Sequence, residues 1–460
     1  MKFSEATVST HVFVPKHEVD PDLLDDYVIE SAFEDNRHVI RTYAETGRHI
    51  GFPRNCLPPG FRAEKVYDLR VTGPKTYGTF TSELRPDQSD IVRRTLAILR
   101  TEGGVVIHAD PAYGKTVCIL NILTELKRRA IVLVHKRDLV WQWVERIIQH
   151  TTIPRSQVAV AMDGEVGALD GKNILVGLVH TIGKNCWGET LTHWPGVVVF
   201  DEVHSSVPPQ TFADVAAMFP AKYRIGATAT PRRQDRMHRV FEHHIASSRH
   251  HVRAVAPTQN KSVIVIHRYY DRHKMPIEAK SVHAIRAQLF YILMSDPVRN
   301  QLIVNYVSSF VSGGRRVIVV SDRIYHLAVL AAMTRKKHPD KQVGFYTNQV
   351  AVLDEYWTEI RRTTNTKADL DLTAKYADVI FATYKMLGEG TDLENVSGMI
   401  YAMPRTEVEQ SKGRIEGPRS GGKKPVVVDI WDMVYPTATG YAKKRMSHYQ
   451  SVGASVHYRG

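Results

Sequence analysis

Two short stretches carry the residue types that phosphate chemistry needs. The first, Ala109-Asp110-Pro111-Ala112-Tyr113-Gly114-Lys115-Thr116, follows the apolar run Val105–His108 and opens a helical pattern that continues to Leu126, with Val117, Leu120, Leu123 and Leu126 on adjacent turns. A loop between a strand and a helix aims backbone N–H groups at phosphate oxygens. In that setting Ala112, Tyr113 and Gly114 help to cradle the phosphates, Lys115 sets a point charge on the β- and γ-phosphates, and the Thr116 hydroxyl can ligate Mg²⁺. The loop departs from the general pattern at Ala109, where glycine is usual, and at Ala112, where a second glycine is frequent.

The second stretch is Val197-Val198-Val199-Phe200 running into Asp201-Glu202-Val203-His204. A carboxylate at the carboxyl end of a buried parallel strand lies where such sheets bind ligands. Asp201 can hold Mg²⁺ through its water shell, and Glu202 can orient and deprotonate an attacking water. Alone, two acids at a strand exit would pass for a helix cap. Beside Lys115 and Thr116 they read as a hydrolytic pair.

These residues require a scaffold of parallel strands. Short β-branched runs alternate with helical patterns in two blocks. The first holds candidate strands Val105–His108, Ala130–Val134, Asn173–Val176, Val197–Phe200 and Arg224–Ala227. The second holds Val263–His267, Arg316–Val320, Gln342–Tyr346, Asp378–Ala382, Met399–Ala402 and Pro425–Asp429. Such alternation implies βαβ crossovers and sheets covered on both faces. The join is expected near His250–Lys261, dividing residues 80–256 from 257–434. Residues 1–79, rich in proline and glycine, read as a small α+β domain, and 435–460 as a basic tail or cap.

Composition bounds the partners. The chain has 460 residues with 43% hydrophobic, enough for several cores, and a net charge of +13 that suits a polyanion. Cys56, Cys118 and Cys186 lack metal-ligand or disulfide spacing. The quartet His243, His244, His250 and His251 has no carboxylate or cysteine at ligand spacing, so no metal is expected there. Met1–Val14 shows no apolar core behind a basic start, and no run approaches the ~20 apolar residues of a membrane span. A cytoplasmic protein of a bacterial or phage-infected cell, monomeric and without a membrane role, is the expectation. Trp141 and Trp143 are expected to pack rather than to stack on bases.

With these residues in place, the chain resembles the DExH-box helicases of superfamily 2, and the similarity runs from about Glu83 to Asp432. Leu84-Arg85-Pro86-Asp87-Gln88 is similar to the family's adenine-reading motif, which implies ATP as the nucleotide and Gln88 as its base contact. Val132–Leu139 with Gln142-Trp143, Leu178–Ile182, and Gly226–Arg232 resemble motifs of the first domain. In the second block, Val317–Arg323, Ala382–Met386 with Gly388–Asp392, and Glu409–Ile415 resemble motifs IV, V and VI. Nucleotide contacts at Gly390 and Asp392, and catalytic roles for Gln410 and the arginine finger Arg414, are what the resemblance implies. The family's second arginine position is Gly417 here, and Arg419, behind Pro418, is a candidate to take its place. The resemblance further implies two tandem RecA-like domains with ATP between them, and nucleic-acid contacts at Lys136, Thr181, Arg323 and Thr383. The relatives in view are repair and recombination helicases of phages and bacteria and the xeroderma-type repair helicases. They imply DNA as partner, whether single-stranded, duplex or branched, with RNA not excluded. Two further readings stay open: a translocase that remodels protein–nucleic-acid complexes without separating strands, and a non-enzymatic binding protein with a dead P-loop.

Overall fold

Valine- and isoleucine-rich runs with no polar alternation can only be strands covered on both faces. The computed structural model bears this out in two parallel sheets. It describes every residue except 32–38, 110–112, 185–187, 203–208, 230–236, 255–261, 270–276, 279–280, 389–392, 394, 406–422, 434, 452 and 460. The chain divides into two units at Ala256/Pro257.

In the first unit the strand order is Glu165–Val166, Val158–Met162, Ile174–Leu178, Ala130–Val134, Val197–Asp201, Tyr223–Thr228, Gly104–His108 and His251–Arg253. All neighbours are parallel except the first pair. Helices Pro86–Glu102, Lys115–Leu126, Arg137–His150 and Pro209–Met218 belong to this layered unit. Only Tyr223–Thr228 separates Gly104–His108 from Val197–Asp201, so the phosphate loop and the acidic pair leave the sheet about 10 Å apart, two strand spacings. The stretch expected to be a fading join begins instead with the edge strand His251–Arg253, which pairs with Val106–His108.

The second unit has the all-parallel order Val343–Tyr346, Val379–Ala382, Arg316–Val320, Val396–Tyr401, Val426–Asp432, Ser262–Arg268 and Ser455–Arg459. Its interior holds two fully buried ion pairs. Arg299 grips both oxygens of Asp432 at 2.8 and 2.9 Å, and Arg445 donates to Asp429 at 2.8 Å. The last stretch is not a loose tail. Pro436–Ser451 is a helix whose Arg445 and Tyr449 both reach Asp429, and Ser455–Arg459 adds an edge strand.

The N-terminal segment forms a five-stranded sheet in the order Ala44–Glu45, His49–Pro53, His11–Pro15, Lys2–Val8, Arg62–Asp68. A separate hairpin of Val28–Glu30 with Val39–Arg41 packs against helices of the first parallel layer. Ile29 and Ile40 share one apolar core with Phe212, Val240 and Phe241. Arg224, wholly buried, has no carboxylate partner among the described residues but donates to the carbonyls of His244, Thr10 and Phe219 at 2.6, 3.1 and 2.9 Å. Three buried histidines line the same seam. His11 Nε2 lies 3.2 Å from Thr42 O, His243 Nδ1 lies 2.7 Å from the Thr42 hydroxyl, and His244 meets His11 edge-on.

Burial, aided by neighbouring arginines, pulls His11 and His243 down to about 4, and burial with His11 and Arg224 holds His244 well below its ordinary value. The unfolded chain takes up these protons near pH 6.5 while the folded one refuses them. Stability is therefore unaffected above pH 6.5 and falls as pH drops from 6.5 towards 4. The loss between pH 7 and pH 5 should approach about 2 kcal/mol for each histidine. The thermal midpoint should fall over that interval, and His244→Leu should make the fall shallower. An identical pH slope in that variant refutes the assignment.

Candidate active site

Gly114 begins the site. Its φ of +94° lies in the left-handed region, and the chain turns there directly into the helix Lys115–Leu126. A β-carbon on Gly114 would sit 2.5 Å from Gln88 Nε2. Gln88 is in the first turn of Pro86–Glu102, 3% exposed, with its Oε1 accepting from the Arg85 backbone N–H at 3.0 Å. The structure thus brings Gln88 against the phosphate loop, two elements 26 positions apart. Thr116 follows on the first turn of the helix.

Lys115 is almost buried. Its ammonium donates to the carbonyl of Ala109 at 3.0 Å and lies 3.7 Å from Glu202 Oε1. Lysine and glutamate, far apart in sequence, therefore share one small volume at the carboxyl edge of the sheet. Asp201 closes the strand Val197–Asp201. Glu202 follows with φ +54°, a left-handed conformation that costs a non-glycine residue of order 1–3 kcal/mol and that clusters at functional sites. The turn redirects the chain so that consecutive carboxylates serve one site rather than alternating faces.

Burial, and then the Glu202 carboxylate, raise the Asp201 pKa above the usual carboxylate range, while the Trp143 N–H and the Lys115 ammonium pull it down. Two adjacent acids facing one lysine leave an excess of negative charge. A divalent cation would balance it, and the available donors are carboxylate and hydroxyl oxygens, the hard ligands Mg²⁺ prefers. Asp201 and Thr116 fit that ion. An ion held there would neutralise phosphate charge and orient the γ-phosphoryl.

Trp143 was not legible as part of the site. Its indole Nε1 donates to Asp201 Oδ2 at 2.8 Å, and the side chain is 2% exposed. The signal available was its helical face: Val140, Val144 and Ile147 are buried beside it, on a helix that follows the strand paired with Val197–Phe200. Trp141, expected to pack as well, is 42% exposed, because it lies one position round the helix from that face.

The remaining motif residues are placed as follows. Lys136 is the N-cap of helix Arg137–His150, and the next residue, Arg137, pairs with Asp163. Thr181 is 5% exposed in helix Val179–Lys184. In the second unit, Arg323 is exposed at the N-cap of Ile324–Lys337, its guanidinium 5.5 Å from the centre of the Phe290 ring. Thr383 connects Val379–Ala382 to the short helix Tyr384–Gly388, and its hydroxyl accepts from the Met386 N–H at 3.4 Å. Ala112, Gly390, Asp392, Gln410, Arg414 and Arg419 lie outside the described residues. Among the described residues no helix is long and apolar enough to cross a membrane.

Comparison with known proteins places the chain among helicase-like proteins. Residues 81–233 match the family described as type III restriction enzyme, res subunit. A protein of Acanthamoeba polyphaga mimivirus, named a putative ATP-dependent RNA helicase L396, is 24% identical over 429 residues, covering 89% of this chain and 76% of its own. The DNA 3'-5' translocase XPB2 of Sulfurisphaera tokodaii is 30% identical over 162 residues, covering 35% of this chain and 33% of its own. Among solved structures, a fragment of a putative HsdR subunit of a type I restriction enzyme from Vibrio vulnificus YJ016 has a TM-score of 0.55 at 15% identity, over 82% of this chain and 69% of that one. That likeness is one of fold, the tandem RecA-like arrangement of parallel-sheet domains.

Proposed function

We propose that this chain, which belongs to superfamily 2 of the helicases and is an ATP-hydrolysing enzyme of that family, uses Mg²⁺-ATP to move on DNA and to unwind or remodel it. The observation that carries the motor reading is the convergence of Lys115, Asp201 and Glu202 at one sheet edge, with Gln88 packed on the same loop. In this reading a bound phosphate competes for the Lys115 ammonium now shared by Ala109 and Glu202. Glu202 then orients the attacking water, and Asp201 with Thr116 holds Mg²⁺. Gln88, the loop residues Ala112 to Thr116, Gly390 and Asp392 bind the nucleotide, and Gln410 and Arg414 act on its γ-phosphate. Lys136, Thr181, Arg323 and Thr383 contact the strand, mainly through its phosphates and sugars, so sequence preference is slight.

DNA is favoured over RNA by the XPB2 relative's name, whereas the mimivirus relative's name favours RNA. A side-by-side ATPase measurement with single-stranded, duplex and forked DNA and with RNA decides between them. Larger stimulation by DNA, with strand separation on forks, is expected. Stimulation by RNA alone overturns the choice of DNA, and stimulation by duplex without unwinding on any substrate favours translocation without strand separation.

A further inference from the structure

We infer that Trp143 is a positioning residue for the metal-holding carboxylate and the physical link between the strand-contacting helix and ATP hydrolysis. The inference rests on the assignment of Asp201 to Mg²⁺. Trp143 Nε1 donates to Asp201 Oδ2 at 2.8 Å from a buried indole. An indole N–H is a donor only, so this bond fixes one carboxylate oxygen and leaves the other to face the cation. Hydrogen bonds of this kind orient metal-holding groups and typically change metal affinity ten- to a hundredfold when lost.

The ring is held rigidly. Val140, Val144 and Ile147 are buried on the same helix, and the indole cannot turn without breaking that packing. The same helix begins at Lys136, a proposed strand contact, seven positions or about 10 Å before Trp143. Lys136 and Trp143 are joined by one unbroken helix of 14 residues. Tension or displacement at Lys136 therefore reaches Asp201 through one hydrogen bond, without passing along a loop. Strand binding that settles this helix settles the carboxylate, and hydrolysis responds to nucleic acid by that route.

Trp143→Phe removes the donor and keeps most of the packing. A second variant, with 3-benzothienylalanine at position 143, keeps the bicyclic ring and replaces only the N–H. The probe is Mg²⁺ titrated against a fluorescent, non-hydrolysable ATP analogue, alongside the analogue's affinity in EDTA. Both variants should raise the half-saturating Mg²⁺ about tenfold or more, with the EDTA affinity unchanged. They should also lower the ATPase stimulation ratio measured with whichever nucleic acid stimulates the wild type most. An unchanged Mg²⁺ half-saturation in the benzothienyl variant overturns the positioning role, and an unchanged stimulation ratio overturns the link. Asp201→Asn serves as the control: if it retains Mg²⁺-dependent binding and turnover, the assignment of the ion itself is wrong, whatever Trp143 does.

Discussion

Replacing Glu202 with glutamine should lower ATP turnover by about a thousandfold and leave ATP binding nearly intact. The two side chains match in size, so the backbone at φ +54° and the packing around it are kept. What is lost is the proposed proton acceptor. A carboxylate 3.7 Å from the Lys115 ammonium can hold a water by its lone pairs and take its proton as the phosphoryl moves, and an amide cannot. Lys115, Thr116 and Gly114 are untouched, so the phosphates keep their cradle. Single-turnover hydrolysis and equilibrium binding of ATP, measured on the same preparation, separate the two effects. Hydrolysis at the wild-type rate would remove Glu202 from the role of base.

The second large effect is expected at Gly114. Gly114→Ala should weaken ATP binding by about a hundredfold, from two costs that add. The left-handed φ of +94° costs an alanine of order 1–2 kcal/mol. The new methyl would also stand 2.5 Å from Gln88 Nε2. A glutamine amide is the end of a flexible chain and could retreat, but this one is buried and anchored through Oε1 to the Arg85 N–H. Retreat would break that bond and displace the proposed base contact. Adding Gln88→Ala to Gly114→Ala removes the collision and keeps the torsional cost, so it should improve phosphate binding relative to the single variant without restoring it. Pyrophosphate is a suitable probe because it lacks the base that Gln88 would read. If Gly114→Ala binds ATP as the wild type does, the loop geometry described here does not govern the nucleotide.

Much of this was legible in the residues, for identifiable reasons. Ala130–Val134 and Arg316–Val320 were bounded correctly because both are interior strands, the first apolar throughout and the second apolar after Arg316. Central strands must be hydrophobic on both faces, and that leaves an unbroken signal. His251–Arg253 and Ser455–Arg459 were missed because they lie at sheet edges, where burial is partial and the pattern mixed, whereas Val158–Met162 was missed although all five of its residues are apolar. The antiparallel ribbon Gln349–Leu353 with Glu359–Thr364 was missed too: Ile360, Arg361, Arg362, Thr363 and Thr364 are all exposed, so no buried face writes a period into the sequence. At the site, Lys115 and the acidic pair were readable because their chemistry is tied to a strand exit. The bond from Trp143 to Asp201 was not, since it depends on which of two neighbouring tryptophans the helix turns inward.

The seam around Arg224 also dictates an order of events during synthesis. The first eighty residues leave the ribosome long before Phe219, Arg224, Val240, His243 and His244 exist, yet those later residues supply the wall against which Ile29, Ile40, His11 and Thr42 come to rest. At roughly 5–20 residues per second, that gap of about 165 residues lasts on the order of ten to thirty seconds. Throughout it the nascent N-terminal segment must keep the apolar face of its Ile29–Ile40 hairpin uncovered. During translation this segment is therefore a half-finished surface, and chaperone attention or aggregation would concentrate there.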